Sequence, residues 1–382
     1  MRVVHLLWGL QVGGMENLLV DIVNRQATQS TIHVIVINDL VNEELLARID
    51  SRCTLHLLKR KVGSRNPWPI VRMNLLLRRI NPDIIHYHAA EIVRYVCGKW
   101  RSIATVHNTH LPTAGYSKQD ALVAISEAVH KDISEAMNRE TAEAGCQKST
   151  SKAISKEVQA TSKEVQNCVA EETQGCPVYI IENGIDFASV CKRDAGKALS
   201  FDGDFRLVQV SRLYHPQKGQ DILLRAMALL KAEGLERISL DLIGEGESRQ
   251  YLSELAQELQ VKVSFLGNKD RAYVYAHLQD YDLFVQPSRY EGFGLTVIEA
   301  IAAHLPVLVS DIEGPMEIIA DGKYGFSFRT EDVAHCARQI RHLLEHPPTH
   351  HFLNEAHAHA SSCYSIATMV DKYTKLYHSV LK

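Results

Sequence analysis

The sequence predicts an α/β protein built as two Rossmann-like units in tandem. The chain has 382 residues, which suits two domains of about 150–200 residues rather than one layer system. Strand-length apolar runs alternate with helix-length stretches in both halves. Apolar residues make up 46% and charged residues 23%, a globular balance that excludes a disordered or fibrous chain.

In the front half the strands are expected at Val3–Leu7, His33–Ile37, Thr54–Leu58, Ile84–Tyr87, Ile103–Val106, Leu122–Ile125 and Val178–Ile181. Helices are expected at Glu16–Gln26 and Pro69–Ile80. Near-continuous apolar strands separated by helices indicate a parallel sheet covered on both faces. The opening MRVVHLLWGLQVGG reads as a buried first strand entering a glycine loop, because Gln11 and Glu16 interrupt it before a signal-peptide cleavage site could form.

The back half repeats the rhythm, with strands at Leu207–Val210, Leu240–Ile243, Val263–Leu266, Leu283–Val285, Val307–Val309 and Phe326–Phe328. Its helices fit at Gly219–Lys231, Glu247–Gln257, Leu295–Ala303, Val333–Leu344 and Ala367–Val380. Asn-Gly after a strand puts the boundary near Asn183–Asp186, giving units of 1–184 and 185–364 and a C-terminal helix over 365–382. Residues 139–176 break the pattern. They are polar, repeat SKEVQ, and space Ile154, Val158, Thr161, Val165 and Cys168 along one helical face. A solvated helical insertion and a self-association helix both fit.

The net charge of −3 argues against nucleic acid as the main partner. It is unevenly placed, with 17 Lys and Arg against 12 Asp and Glu over residues 1–139, and 25 against 33 beyond, so the halves are expected to meet different partners. Eight cysteines without a CxxC pair read as reduced thiols of a cytoplasmic protein. No stretch of about 20 apolar residues could span a membrane.

The most specific chemical signal is Glu291-Gly-Phe-Gly-Leu-Thr-Val-Ile-Glu299, which follows a strand and opens a helix. Its glycines allow backbone N–H groups to approach a ligand, and the helix start favours an anion. Both glutamates can point into one cleft, or Glu291 can cap the helix while Glu299 is buried in an ion pair. Arg212 ends the strand LVQVSRL and Lys218 follows in HPQKG, so two cations at a strand mouth suit a diphosphate. Gly13 and Gly14 form a paired-glycine loop before the Glu16 helix, without the GxGxxG spacing of a dinucleotide site. His107 ends the strand IATVH, as a structural or a functional histidine. Asp202-Gly-Asp204 precedes a strand, away from the mouth where ligands bind, and the histidine-rich stretch His346–His359 has no ligand spacing, so no metal site is expected.

These motifs resemble the glycogen-synthase-like, group 1 retaining glycosyltransferases with the GT-B fold. The resemblance runs from LQVGGMEN through VHN, IENGID, VSRLYHPQKG, LIGEGE and FLG to PSRYEGFGLTVIEA. It implies that Arg212 and Lys218 hold the donor's diphosphate, Glu291 the sugar hydroxyls and Glu299 the ribose. Backbone amides of Gly292, Phe293, Gly294, Leu295 and Thr296 would line the donor, with Gly246 and Gly267 bordering the base. Gly14 would approach the diphosphate and His107 the reacting carbon as the domains close, with Gly13 and Glu16 on the acceptor side. The C-terminal helix would cross back to the first domain. His304 and Glu313-Gly314-Pro315 depart from the family's usual glycines, near the expected donor pocket.

The implied activity is transfer from a UDP- or GDP-sugar to a lipid-linked saccharide in bacterial surface polysaccharide synthesis, with no cofactor or metal. An epimerase on the same fold and a non-catalytic assembly subunit are the alternatives. Residues 59–79 carry Lys59, Arg60, Lys61, Arg65, Arg72, Arg78 and Arg79, no acidic residue, and interleaved Trp68, Ile70, Val71, Leu75 and Leu76. That composition suits either a segment on an anionic membrane or a solvated basic helix with its apolar face buried.

Overall fold

The computed structural model describes residues 1–11, 13–107, 115–146, 176–193 and 203–382. The chain divides into two compact units, Met1–Asn183 with Ile366–Lys382, and Gly184–Ser365. Among the described residues no helix is long and apolar enough to cross a membrane.

The first unit contains β1 (Arg2–Leu7), α1 (Gly14–Gln26), β2 (Thr31–Asn38), α2 (Glu43–Ala47), β3 (Thr54–Arg60), α3 (Trp68–Ile80), β4 (Ile84–Tyr87), β5 (Ser102–Val106), β6 (Ala121–Ala124), α4 (Glu127–Cys146) and β7 (Val178–Ile180). All strands are parallel, in the order β3-β2-β1-β4-β5-β6-β7. The strands are apolar on both faces because helices cover both: Val3, Val4, Leu6, Ile32, Val34 and Ile35 are all fully buried.

The second unit contains β8 (Phe205–Val210), α5 (His215–Lys218), α6 (Gln220–Ala232), β9 (Ile238–Ile243), α7 (Arg249–Glu258), β10 (Lys262–Gly267), α8 (Arg271–His277), β11 (Leu283–Gln286), α9 (Leu295–Ala302), β12 (Val307–Ser310), α10 (Glu313–Ile318), β13 (Phe326–Phe328), α11 (Val333–Glu345) and α12 (His350–Tyr364). Its parallel order, β10-β9-β8-β11-β12-β13, repeats that of the first six strands of the first unit. The core is sealed by α6 and α11, whose Leu223, Leu224, Leu230, Ile340 and Leu343 pack on Leu207, Leu240 and Leu283 of the sheet.

The last helix, α13 (Ile366–Leu381), belongs to the first unit. Met369, Val370, Tyr373, Leu376 and Tyr377 recur at helical spacing and enter that unit's core. Lys372 adds an ion pair to Glu182, with Nζ to Oε2 at 2.5 Å.

Six helices of the described residues were not among those expected. Four of them, α2, α5, α8 and α10, are 4–7 residues long, too short for a repeat to register, and α4 (Glu127–Cys146) was not singled out. In α12 the buried stripe is Leu353, Ala356, Ala360 and Tyr364, so two of its four positions are alanines set among histidines. Thr349 caps it by accepting from the Phe352 N–H at 3.2 Å, making this histidine-rich stretch an ordinary surface helix. The break expected at residue 139 is displaced, because α4 runs on to Cys146. The SKEVQ repeats, Asn108 and Asp202 lie outside the described residues.

Two mouths at the strand switch points

In each unit the chain winds outward in both directions from one strand pair, β1 with β4 and β8 with β11. Loops leaving the C-terminal ends of such a pair diverge and leave a crevice for ligands.

In the second unit, the loop after β8 carries Arg212 and Lys218 and the loop after β11 carries Glu291. Lys218 Nζ donates to Glu291 Oε2 at 2.5 Å, and the Gln286 amide reaches the same oxygen at 3.3 Å. The Gln286 carbonyl takes the Thr296 hydroxyl at 3.0 Å, so Lys218, Glu291, Gln286 and Thr296 form one chain. The sequence suggested separate ligands for Lys218 and Glu291; here each neutralises the other. Arg212 is exposed, its guanidinium 4.9 Å over the Tyr214 ring, with no carboxylate partner among the described residues.

Buried amides hold this geometry. Gln209 donates to the Lys218 carbonyl at 2.9 Å, and Gln220 to the Arg212 carbonyl at 2.9 Å. Arg289 fastens the two loops together: its guanidinium makes a bidentate pair with Asp221 at 2.9 Å and also reaches Glu331 and the His215 carbonyl. These carboxylates push its pKa further up, so it is a permanent cation. Gln209 and Gln286 carry no motif of their own, and a polar residue at the C-terminal end of an apolar strand was the available signal; Gln220 opens α6, and Arg289 stands in the PSRYEGFG motif without having been singled out.

Two glycines are required here. Gly219 sits at φ +64°, and a Cβ there would lie 1.8 Å from the Pro287 carbonyl, so only glycine lets the loops approach. Gly294, at φ +117°, turns the chain into α9. Gly292 is buried, and Leu295 and Glu299 are half-buried on the first five residues of α9. For Phe293 the sequence reading used the backbone amide alone. Its ring is 2% exposed and packs edge-on against Tyr364, so only its backbone remains for a ligand.

Gly246 packs against the Leu213 carbonyl, where a Cβ would lie 2.4 Å away, and the Gly267 carbonyl accepts the Gly244 N–H at 2.9 Å. Both therefore serve backbone packing behind the β8 loop. Of the two departures noted, Gly314 lies against the turn, with its Cβ position 3.0 Å from the Glu291 carbonyl. His304 does not. It ends α9 in the left-handed region at φ +58°, beyond the helix's far terminus, with its ring 4.6 Å from that of His357.

The first unit's mouth has a different chemistry. His5 on β1 and His86 on β4 are register partners, His88 follows β4, and His107 follows β5. The rings form a file, with centroids 5.0 Å apart for His5–His86, 4.4 Å for His86–His88 and 6.0 Å for His88–His107. His5 Nε2 meets the Gln26 carbonyl oxygen at 2.8 Å and His5 Nδ1 meets His88 Nε2 at 3.0 Å. His86 meets the Tyr377 hydroxyl at 2.8 Å and Thr105 at 2.7 Å, which ties α13 into the network.

Ring nitrogens of His5, His86 and His88 lie within 4.8 Å of one another, close enough to suggest a metal. However, both nitrogens of His5 and of His86 are already hydrogen-bonded, and stacked rings turn faces rather than lone pairs towards one another. Burial pushes His5 and His107 down to about 4 and His86 and His88 well below the imidazole range, so the file is neutral at pH 7.

Beside the file, a cavity of about 200 Å³ opens at the ends of β1, β2 and β4, with Glu16 of α1 in its lining. Gly13 is extended at φ −165°, and a Cβ there would lie 2.4 Å from Glu16 Oε2, so glycine makes room for that carboxylate; exposed Gly14 begins α1.

Comparisons with known proteins fall on both units. Residues 192–359 match the family model for glycosyl transferases group 1, and residues 12–189 that for glycosyltransferase family 4. A glycogen synthase of Mycobacterium tuberculosis is 32% identical over 172 residues, 44% of this chain and 40% of that protein. The putative glycosyltransferase EpsD of Bacillus subtilis is 31% identical over 182 residues, 47% of each. The chain thus spans less than half the length of these two relatives. Among solved structures, Anabaena Alr3699/HepE in complex with UDP and glucose superposes with a TM-score of 0.73 at 18% identity, covering 99% of this chain and 100% of that one. The lipopolysaccharide outer core galactosyltransferase WaaB gives 0.69 at 15% identity, covering 99% of this chain and 100% of that one. With one family model on each unit and this fold over nearly its whole length, the chain belongs to the group 1 glycosyltransferases of GT-B fold.

Proposed function

We propose that this chain is a retaining glycosyltransferase that uses a UDP- or GDP-sugar and extends a lipid-linked saccharide in bacterial surface polysaccharide synthesis. The observation that carries this reading is the Lys218–Glu291 pair at the β8/β11 mouth, beside the backbone of Gly292–Thr296. A departing nucleoside diphosphate gains negative charge as the anomeric C–O bond breaks. Lys218, released from Glu291 by the incoming donor, and Arg212 meet that charge, while Glu291 turns to the sugar's hydroxyls and Glu299 to the ribose. The acceptor oxygen bonds to the anomeric carbon on the same face, and its proton passes to the departing phosphate oxygen. No protein nucleophile and no metal are required, so activity should survive chelation by EDTA. Structural neighbours that act in lipopolysaccharide synthesis, WaaB and WaaG, favour the acceptor class.

Attachment to a membrane is part of the proposal. On α3 the buried face is Pro69, Met73, Leu77 and Ile80, whereas Trp68, Val71 and Leu75 form a second, exposed apolar stripe, with Trp68 63% and Leu75 53% exposed. Exposed Arg65, Arg72, Arg78 and Arg79 flank it, the arrangement expected of a helix on an anionic bilayer.

Donor turnover, measured with and without acceptor, tests the function. Transfer that needs acceptor, and falls about 10²–10³-fold in Lys218→Ala and in Glu291→Ala with unchanged melting temperature, supports it. Turnover without acceptor would indicate the epimerase reading, and no turnover a binding subunit.

A further inference from the structure

The first unit carries a second group of histidines, at the end of its sheet away from the mouth. His33 and His56 stand early in the neighbouring strands β2 and β3, which α3 packs against. His33 Nδ1 meets His56 Nε2 at 3.2 Å, with ring centroids 5.5 Å apart and the planes nearly parallel. One proton serves that bond. The neutral pair therefore offers a single outer N–H, and the pair with one added proton offers two. Both rings are half-buried, and their outer nitrogens, His33 Nε2 and His56 Nδ1, have no partner among the described residues and are not enclosed.

Three guanidiniums surround this pair. Arg72 and Arg79 lie about two turns apart on α3, on the flank between its exposed stripe (Trp68, Val71, Leu75) and its buried face. Arg2 is anchored at the start of β1: its guanidinium donates to the Ile80 carbonyl at 2.9 Å, and its backbone N–H to Asp83 Oδ2 at 2.6 Å. Partial burial is the first cause lowering both imidazole pKa values. The His56 ring and Arg2 add to it at His33, and Arg72 and Arg79 add to it at His56. No carboxylate offsets them at either ring, and Arg72 and Arg79 have no carboxylate partner among the described residues. Clustered cations without a counter-charge repel one another, and a multivalent anion removes that cost.

We propose that the edge between α3 and the β2–β3 pair binds the phosphomonoester headgroup of a membrane lipid, held by Arg72, Arg79 and the outer N–H groups of His33 and His56. A phosphomonoester carries about −1.5 to −2 at pH 7 and three terminal oxygens, enough for two guanidiniums and an imidazole pair that gains a proton as it binds. A phosphodiester brings one charge and two free oxygens, and leaves part of the cluster unmatched. The exposed apolar stripe beside the arginines sets these groups at headgroup depth, which commits the phosphate to a lipid. The inference rests on the membrane attachment proposed above and adds to it the headgroup that is selected.

The test is binding of the full chain to phosphatidylcholine vesicles carrying either phosphatidate, a phosphomonoester, or phosphatidylglycerol, a phosphodiester, at matched surface charge. Phosphatidate vesicles should bind about tenfold more tightly. His33→Gln with His56→Gln should abolish that preference and leave binding to phosphatidylglycerol unchanged. Arg72→Gln with Arg79→Gln, on exposed side chains, should weaken both and phosphatidate more. In the unmodified chain, nitrogen NMR of the histidine rings should show the His33–His56 pair gaining a proton when phosphatidate binds at constant pH, with the His5–His86–His88 rings unmoved. Equal affinity for the two anionic vesicles, or a pair that gains no proton, would overturn the proposal. Inorganic phosphate binding as tightly as the phosphatidate vesicles would overturn the lipid source. Equal anionic binding sinks this inference alone, whereas binding no better than to pure phosphatidylcholine removes membrane attachment as well; glycosyl transfer is read separately, by donor turnover.

Discussion

The two units share a strand order and differ at the mouth it creates. In the second unit the mouth is charged and fastened: Lys218 pairs with Glu291, and Arg289 binds Asp221 and Glu331 across the loops. In the first it is lined by amides, an indole, an imidazole and a single carboxylate, backed by four neutral histidines. One strand order therefore carries two mouths of different make-up, because loops and strand ends set the chemistry and the sheet only places it.

The comparison breaks most visibly at the ion pair. If the donor parts Lys218 from Glu291 and each meets a different group, each single variant loses about 10²–10³-fold in kcat/KM and the Lys218→Ala/Glu291→Ala double variant multiplies the two losses. A double variant no worse than the worse single one would show that the two act only as a pair. Acid should separate the units next. The His5 pKa falls to about 4 on folding, so above pH 6.5 it costs nothing, and as pH drops the unfolded chain takes up a proton that the folded one refuses. That is about 3 kcal/mol lost between pH 6.5 and 4 for His5, with the other buried rings adding in the same direction. Hydrogen exchange followed through this range should show the first unit loosening first; equal loss in both units would sink the idea.

Removing Arg289 should weaken the second unit instead. Arg289→Met leaves Asp221 without its bidentate partner and is expected to cost about 2 kcal/mol, read as a lower melting temperature with the first unit's exchange unchanged. The smallest effect belongs to α3. Trp68→Ala with Leu75→Ala should reduce sedimentation with anionic liposomes at low salt without altering the melting temperature, since both side chains are exposed. Equal partitioning onto neutral liposomes would remove the electrostatic part of the argument.

Much of this was legible in the sequence. Every expected strand is present, because strands buried on both faces are apolar without interruption and stand out from their surroundings. Glycine turns and their flanking charges were legible too, since Gly219 and Gly294 occur where the backbone allows little else. Short helices were not, nor was α12, whose buried stripe uses alanine. The α3 segment shows the limit well: its composition allowed two readings, and only packing showed that Trp68, Val71 and Leu75 lie on the outer face.

The sequence by itself determined the two α/β units, their boundary and the candidate residues at the second unit's mouth, because periodicity and glycine turns are local properties of the chain. Tertiary structure alone decided that Lys218 meets Glu291 across 73 residues, that Arg289 is a fastener, and that histidines from three strands line up beside a cavity. Those facts depend on which strand ends become neighbours, and strand order is set by the packing of the whole sheet rather than by any segment within it.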